Sequence, residues 1–306
     1  MVRGAVCVSV ATMLYGLTPF LSRGLYDAGV SVATVVFWRS ALVIPFLLVI
    51  AYCNGSHVFF APRRALKLML SVAVFGSASS FCVNTAYSLM DTGLASTIYF
   101  LYPVIVVLIT AAVYRRMPAR STAAAAVLIG IGMALVGGQV SGSATGIAFA
   151  LIAATVYAIY IVRLEVTGFN DLSALSLTLY IALSNALVFL LIGTVEGGIG
   201  VHLSLDAWRR LVCLSFITLC ALGLIGTGSR ELDPGLVAVF GLFEPLTSLV
   251  MGVVLMGEHL SVLACVGCAL IFCALVLASV GGSGKRTTRR REGLVDRGVN
   301  MLVRYL

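Results

Sequence analysis

Two formally charged side chains lie within long apolar stretches of this sequence, and they are its first candidates for chemistry. Glu244 occurs in the stretch 235–256 and Arg39 in the stretch 32–53. A charge in such surroundings is costly unless it pairs, meets water or contacts a solute. The two side chains could form a structural ion pair, whereas an unpaired Glu244 could bind and release a proton. We favour the ion pair, or another local hydrogen-bonded arrangement, because one isolated carboxyl group is weak evidence for coupling.

Polar and aromatic side chains inside the apolar stretches form a second group of candidates. Two pairs of tyrosines are spaced three residues apart, so each pair lies on one face of a helix and could line a cavity for an amphipathic solute. The residues that we predict to contact such a solute are Tyr15, Trp38, Asn84, Tyr99, Tyr102, Tyr157, Tyr160 and Tyr180. The alternative is a purely structural role, because tyrosine and tryptophan are enriched at membrane interfaces whatever the function.

The chain that positions these residues is apolar almost throughout. Of its 306 residues, 60% are hydrophobic and 10% are charged, whereas a soluble domain has about 25% charged residues. This composition excludes an ordinary soluble globule, and it also excludes a disordered chain, which has the opposite balance. About 20 apolar residues cross the hydrocarbon core of a bilayer. Ten such stretches are present, at 4–22, 32–53, 68–89, 94–114, 121–140, 144–162, 172–195, 211–229, 235–256 and 260–281.

The ten stretches do not show the alternation of polar and apolar residues that is typical of a membrane β-barrel. The sequence therefore predicts an all-α integral membrane fold with ten transmembrane helices. The loops between the stretches are too short to form a separate catalytic domain, so any function must lie between the helices.

The basic residues are distributed unequally between the two sides of the predicted membrane. Sixteen Lys and Arg residues lie on the side of the two termini and three lie on the other side. The positive-inside rule then predicts that both termini are cytoplasmic. The same distribution accounts for the net charge of +8 by contact with anionic membrane lipid, so we predict no nucleic-acid partner.

The sequence shows no pattern that predicts a metal or a cofactor. All eight cysteines fall in the predicted spans, and the three histidines lie in separate loops. A zinc site needs Cys and His ligands grouped at short spacings. We therefore interpret the cysteines as small buried apolar residues, and we expect no metal and no cofactor.

An internal repeat becomes visible when the sequence is aligned with itself at a constant offset. When Tyr15 is placed on Tyr157, Pro103 falls on Pro245. The repeated unit contains five spans, and an odd number of spans inverts the second copy relative to the first. The predicted units are 1–140 and 144–281, followed by a basic cytoplasmic tail at 282–306. Inverted repeats are common in secondary transporters, which bind their substrate near the bilayer midplane between the repeats.

The two repeated prolines are candidate hinges. Pro103 and Pro245 occupy corresponding helix interiors, where each removes a backbone hydrogen bond. We favour a hinge at each proline; the alternative is a kink that only serves the packing of the helices.

Several local motifs resemble the drug/metabolite transporter superfamily, in particular its EamA-type members. The strongest resemblance is in Phe243-Glu-Pro-Leu246 and Leu255-Met-Gly-Glu258, which are similar to the family's Glu-Pro and Gly-Glu motifs of the ninth span. Arg39 is similar to an arginine that is usual in the second span. The first repeat departs from the pattern, because Tyr114-Arg-Arg116 stands where Gly-Glu is expected. The resemblance covers 2–281 and implies ten helices in two inverted five-helix repeats.

The resemblance implies a secondary carrier rather than an enzyme. Members are similar to exporters of amino acids, including aromatic ones, so we expect export of a hydrophobic or aromatic amino acid by alternating access. We expect the protein to lie in a plasma membrane, which in a bacterium is the inner membrane. A monomer is compatible with the sequence.

Alternative functions remain open. The first is a sugar-phosphate, nucleotide-sugar or multidrug carrier of the same superfamily. A phosphate carrier would present more buried cationic groups than the single Arg39. The second is a membrane-embedded enzyme or scaffold, and the spans contain no His and no Asp for a catalytic pair.

Overall fold

Every regular element in the described part of the chain is a helix, as the apolar stretches predict. The structure is a computed structural model, and it describes residues 2–55, 62–113, 120–137, 144–166, 173–228, 231–232, 234–257 and 261–283. In a bilayer, each backbone polar group must find its partner within the protein, and a helix meets this requirement within one segment. The basic tail, apart from its first two residues, lies outside the described residues.

The helices of the first half form five spans. The first span is α1 (Val2–Gly16) with α2 (Thr18–Asp27), and the second is α3 (Val32–Cys53). The third is α4 (Pro62–Ser71) with α5 (Ser77–Leu89), joined by a π-helical turn at Val72–Gly76. The fourth is α6 (Thr92–Tyr99) with α7 (Tyr102–Val113), and the fifth is α8 (Arg120–Gly137).

The helices of the second half form the other five spans. Spans six to eight are single helices: α9 (Ala144–Val166), α10 (Ala174–Val195) and α11 (Leu205–Gly228). Span nine is α12 (Pro234–Gly241) with α13 (Phe243–Met256), and span ten is α14 (Val262–Ser283). Seven of the described helical stretches are long and apolar enough to cross a membrane, and two further stretches, Thr92–Val106 and Val262–Leu277, are shorter apolar helices. With α8, these account for the ten predicted spans, and the chain is a multi-pass membrane protein.

Three spans are interrupted at a leucine that is followed within three residues by a proline. At the breaks, the N–H groups of Leu17, Leu101 and Leu242 each donate to the carbonyl three residues earlier, over 3.1 Å in each case. The prolines that follow are Pro19, Pro103 and Pro245. Proline has no N–H group to continue the helical bonding pattern, and its ring fits without a clash in the first turn of a helix.

The breaks in spans four and nine are equivalent under the internal repeat. We expected Pro103 and Pro245 in the interior of continuous helices, but they lie in the first turn of α7 and α13, because a break precedes each of them. The break in span one has no such counterpart, because α9 is continuous through the equivalent position. The repeat therefore preserves the broken helix only in spans four and nine.

The two halves of the chain interleave, because most helix pairs that pack closely join one half to the other. Span five packs on span ten, span two on span seven, and span four on span nine. Span three packs on span six, and the equivalent pair, span eight on span one, packs in the same way. This exchange of equivalent partners is the packing expected for two inverted five-helix repeats.

Small residues allow the closest of these contacts. A Cβ atom added to Gly228 in α11 would lie 2.7 Å from the carbonyl oxygen of Gly4 in α1. A Cβ atom added to Gly16 would lie 2.5 Å from the carbonyl oxygen of Glu244. Lipid exerts no hydrophobic force between helices, so close backbone packing of this kind stabilises the bundle.

Hydroxyl groups also join spans of different repeats. The Ser79 hydroxyl donates to the carbonyl of Ala153 over 2.9 Å, and the Ser77 hydroxyl donates to the Asn185 amide oxygen over 2.7 Å. Ser96 and Ser248 share a hydrogen bond of 2.9 Å between spans four and nine. Such bonds satisfy polar groups that would otherwise be exposed to hydrocarbon.

Candidate functional site

A central cavity of about 380 Å³ lies where the two repeats meet. Its lining comes from spans one to four in the first repeat and from spans six to nine in the second. Spans five and ten contribute none of the described lining residues, because they pack on each other to one side. Among the residues that we predict to contact a solute, the cavity is lined by Tyr15, Asn84, Tyr99, Tyr102, Tyr157 and Tyr160.

The tyrosines form one continuous aromatic wall. The ring centroids of Tyr102 and Tyr157 are 4.8 Å apart in a T-shaped arrangement, and those of Tyr99 and Tyr157 are 5.6 Å apart. Tyr160 continues the wall, with its ring 5.8 Å from that of Tyr157. Residues of span four thus contact residues of span six, so the wall joins the two repeats. Aromatic pairs at these distances stabilise their contact by about 0.5–1.5 kcal/mol each beyond surface burial.

Arg39 and Glu244 line the same cavity, and no ion pair joins them in the described part of the chain. Among the residues that the structure describes, neither side chain forms an ion pair or a side-chain hydrogen bond. The ion pair that we expected is therefore not formed. The reason is the helix arrangement, because α3 packs on α10 and α11 whereas α13 packs on α1 and α6.

Asn84 lines the cavity but also fastens span three to span one. Its amide oxygen accepts a hydrogen bond of 2.7 Å from the Tyr26 hydroxyl, and its amide nitrogen donates to the carbonyl of Ser80 over 2.7 Å. Nearby, the Arg23 guanidinium donates to the carbonyls of Tyr87 and Met90 over 3.0 and 3.1 Å. The polar atoms of Asn84 are thus largely occupied within the protein.

Two predicted residues lie outside the lining of the cavity. The Trp38 indole N–H donates to the carbonyl of Gly200 over 2.9 Å, and its ring packs edge-on against Trp208 at 4.9 Å. Tyr180 is buried in an apolar cluster with Leu68 and Leu164. Successive helix residues point about 100° apart, so Trp38 faces a loop while Arg39 faces the cavity. Trp38 and Tyr180 occupy equivalent positions of the internal repeat.

Sequence reasoning did not select several small polar residues of the lining. They are Ser40, Ser79, Ser80, Thr178, Asn185 and Thr218. Asn185 has the same signal as Asn84, an amide within an apolar span, and could have been found by that criterion. The hydroxyl residues have no such signal, because Ser and Thr also occur at lipid-facing positions where they bond to their own helix.

Comparison with known proteins identifies the family. The model of the EamA-like transporter family matches the chain twice, over residues 2–138 and 144–280. The chain belongs to the EamA-like transporter family. The two matches begin and end at the same offset that places Tyr15 on Tyr157, so they coincide with the internal repeat. This EamA-like protein is therefore a membrane transporter for a small molecule.

The fold of this EamA-like transporter also occurs among solved structures. The crystal structure of another protein aligns with this chain at 17% sequence identity and a TM-score of 0.62. The alignment covers 90% of this chain and 96% of the chain of the other protein. At that identity, the likeness concerns the fold alone. No curated protein matches the chain.

The EamA-like transporter has a second cavity, of about 540 Å³, at the membrane face where the N-terminus lies. We call it the terminal vestibule. It lies between spans one, two, seven and eight, and its lining includes Arg3, Asn54, Gly223 and Glu231. The side chains of Val43 and Ala182 line the central cavity, those of Leu47 and Leu219 line the vestibule, and all of them belong to one apolar cluster. A thin apolar layer thus separates the two spaces.

At the opposite membrane face, apolar side chains fill the equivalent position. Phe189 is fully buried there and packs with Phe81, Ile192 and Ile199. Under the repeat, Phe189 corresponds to Leu47 of the vestibule, and Phe81 corresponds to Gly223. The transporter is therefore asymmetric, because two phenylalanines fill on one face the space that leucine and glycine leave open on the other.

Proposed function

We propose that this transporter is a secondary carrier that exports small amphipathic amino acids, with hydrophobic or aromatic ones preferred, by alternating access. The observation on which this rests is the composition of the central cavity. One positive and one negative side chain, a wall of tyrosines and apolar residues such as Val83 and Ile181 surround a single space. Its volume of about 380 Å³ lies within the range typical of small-molecule sites, roughly 300–1,000 Å³.

The site between the repeats supports alternating access. Rigid movement of one bundle against the other opens such a site first to one face and then to the other. We propose that Pro103 and Pro245 act as hinges, because equivalent breaks precede them and both breaks border the cavity through Tyr102 and Glu244. The vestibule on one face and the packed phenylalanines on the other support a state in which solute enters from the terminal face.

The excess of basic residues at the terminal face supports its cytoplasmic location. We therefore propose that both termini are cytoplasmic, that the carrier lies in a plasma membrane and that the direction of transport is outward. In a bacterium this membrane is the inner one. Solute from the cytoplasm would enter the vestibule and reach the cavity through the layer that contains Leu47 and Leu219.

The lining makes the alternative functions less suitable. Arg39 is the one cationic side chain among the described lining residues. A single cationic group is poorly suited to binding a dianionic phosphate. The same residues include no His, Asp or Cys, so a nucleophile with an adjacent base is not available there for an enzyme. A multidrug carrier stays the closest alternative, because tyrosines and Glu244 also suit an organic cation.

Counterflow into proteoliposomes tests the proposal. Vesicles that contain the purified chain are loaded with unlabelled L-phenylalanine, and the uptake of labelled L-phenylalanine is compared with that of labelled glucose 6-phosphate and of ethidium. We expect saturable counterflow of phenylalanine only. Preferred uptake of the phosphate or of ethidium would support the corresponding alternative, and uptake no faster than in protein-free vesicles would contradict a carrier for amino acids.

A further inference from the structure

We propose that the central cavity recognises its solute as a zwitterion, with Arg39 binding the carboxylate and Glu244 binding the ammonium group. This inference rests on the proposed transport of amino acids and names the residues that determine specificity. It predicts that a solute must have both charges, so that organic anions and organic cations with the same side chain are rejected.

The first observation is that two opposite charges line one cavity without pairing. An ion inside the protein needs a partner of opposite charge or a hydrogen-bonded environment, since each unpaired ion has a cost of several kcal/mol. Within the described chain, the Arg39 and Glu244 side chains have neither an ion pair nor a side-chain hydrogen bond. A zwitterion provides one partner for each, whereas an anion or a cation leaves one of the two charges unpaired.

The second observation is the chemistry around each charge. Glu244 lines the cavity together with Tyr99, Tyr102 and Tyr157. An ammonium group at Glu244 would therefore also meet aromatic rings, which attract cations. At Arg39, the planar guanidinium can donate two parallel hydrogen bonds to a carboxylate.

The third observation concerns the buried hydroxyl group of a residue that lines the cavity. Tyr160 lines the cavity and is 4% exposed, yet its buried hydroxyl has no hydrogen-bond partner among the described residues. Buried hydroxyls are normally hydrogen-bonded, so a polar solute atom or water is its expected partner. Apolar residues, including Val43, Val83 and Ile181, remain for the solute's side chain.

The repeat gives the site a direction. Arg39 corresponds to Ile181 of the second repeat, and Glu244 corresponds to Tyr102 of the first, so each charge is present once although all four residues line the cavity. The carboxylate is thus held by the first repeat and the ammonium group by the second. A bound amino acid bridges the two bundles that must move against each other.

The experiment compares three solutes that share one ring. Counterflow of labelled L-phenylalanine is measured against external L-phenylalanine, 3-phenylpropanoate, which lacks the ammonium group, and phenethylamine, which lacks the carboxylate. We expect each analogue to inhibit the wild type at concentrations at least about tenfold higher than phenylalanine does, because each loses one charge-assisted contact.

The variants assign each charge to its residue. Arg39→Gln should bind phenylalanine about tenfold or more weakly while its affinity for phenethylamine is unchanged. Glu244→Gln should also bind phenylalanine about tenfold or more weakly, while its affinity for 3-phenylpropanoate is unchanged. Arg209→Gln and Glu196→Gln make the same charge changes at exposed residues outside the central cavity. Both variants should bind the three solutes in the same order of affinity as the wild type.

The outcomes separate the two proposals. If the wild type shows phenylalanine counterflow but all three solutes inhibit equally, zwitterion recognition is overturned and amino-acid transport stands. Because the three solutes are compared on the wild type, this test of zwitterion recognition holds even where a variant does not fold. If neither phenylalanine nor any other amino acid shows counterflow, the proposed function is overturned and zwitterion recognition with it.

Discussion

Tyr102 and Glu244 occupy the same position in the two repeats, and both line the central cavity. Each directly precedes a proline in the first turn after a helix break. The inverted repeat thus brings equivalent backbone positions to the same space from opposite directions, while the side chains differ. One side of the cavity has a phenol where the other side has a carboxyl group, and this difference leads to a first prediction.

Glu244→Gln should abolish the response of transport to a pH gradient. Glu244 is the one carboxyl group among the described lining residues, and it has no ion-pair partner there. A carboxyl group in this position can bind a proton and the solute's ammonium group in turn, so that a proton is exchanged for the solute, whereas Gln cannot bind the proton. We expect both the counterflow and the net flux of the wild type to change when a pH gradient is imposed. An equal response in a folded Gln variant would exclude Glu244 as the coupling group.

Tyr99→Ala and Tyr157→Ala should weaken solute affinity more than they weaken folding. Both rings line the cavity from opposite repeats, with centroids 5.6 Å apart. We expect the KM for phenylalanine to rise about two- to tenfold, since an aromatic contact of about 0.5–1.5 kcal/mol is lost at each position. Phe at either position should retain most of the affinity that the ring provides.

The control for these tyrosines is Tyr52→Ala. Tyr52 is 88% exposed at the end of α3 and belongs to none of the apolar clusters. The KM and the thermal unfolding temperature of each variant in detergent separate the two roles. A lowered unfolding temperature with unchanged KM would make Tyr99 and Tyr157 packing residues.

Gly223→Phe should block transport without unfolding the protein. A Cβ atom added at Gly223 meets no other atom within 4 Å, and the position lines the vestibule. The substitution introduces the side chain that Phe81 has in the other repeat, so it should fill the vestibule as Phe81 and Phe189 fill the opposite face. We expect counterflow to fall by at least about tenfold.

Gly130→Phe is the matched control, because a Cβ atom at Gly130 also meets nothing within 4 Å and the residue lines neither cavity. Its flux should remain near the wild-type value. Normal flux in a folded Gly223→Phe variant would show that solute does not pass through the vestibule.

Both termini should be cytoplasmic, as the 16-to-three distribution of basic residues predicts. In a variant without native cysteines, a membrane-impermeant thiol reagent added to intact cells should label a cysteine at position 202. A cysteine at position 54 should react only after the membrane is opened. Both positions are exposed in loops at opposite faces. The reverse pattern would invert the topology and the proposed direction of entry.

The sequence by itself determined the elements of this protein. Stretches of about 20 apolar residues must be helical in lipid because each backbone polar group needs a partner, and ten such spans follow directly. Pro103 and Pro245 marked the repeat, and the Glu-Pro motif with Arg39 indicated the family. Six of the eight predicted solute contacts line the cavity because a polar residue in a span tends to face the interior.

Only the tertiary structure decided which helix faces meet. A span that is apolar on all sides does not show which face contacts lipid and which contacts protein, because both surroundings are apolar. Trp38 therefore resembled a cavity residue although it packs on Trp208, and Arg39 and Glu244 resembled a pair although their helices are not neighbours. The asymmetry between Gly223 and Phe81 likewise has meaning only once the repeats are folded against each other. The sequence determines the chemistry of each side chain, but the distance between two spans depends on how all ten spans pack.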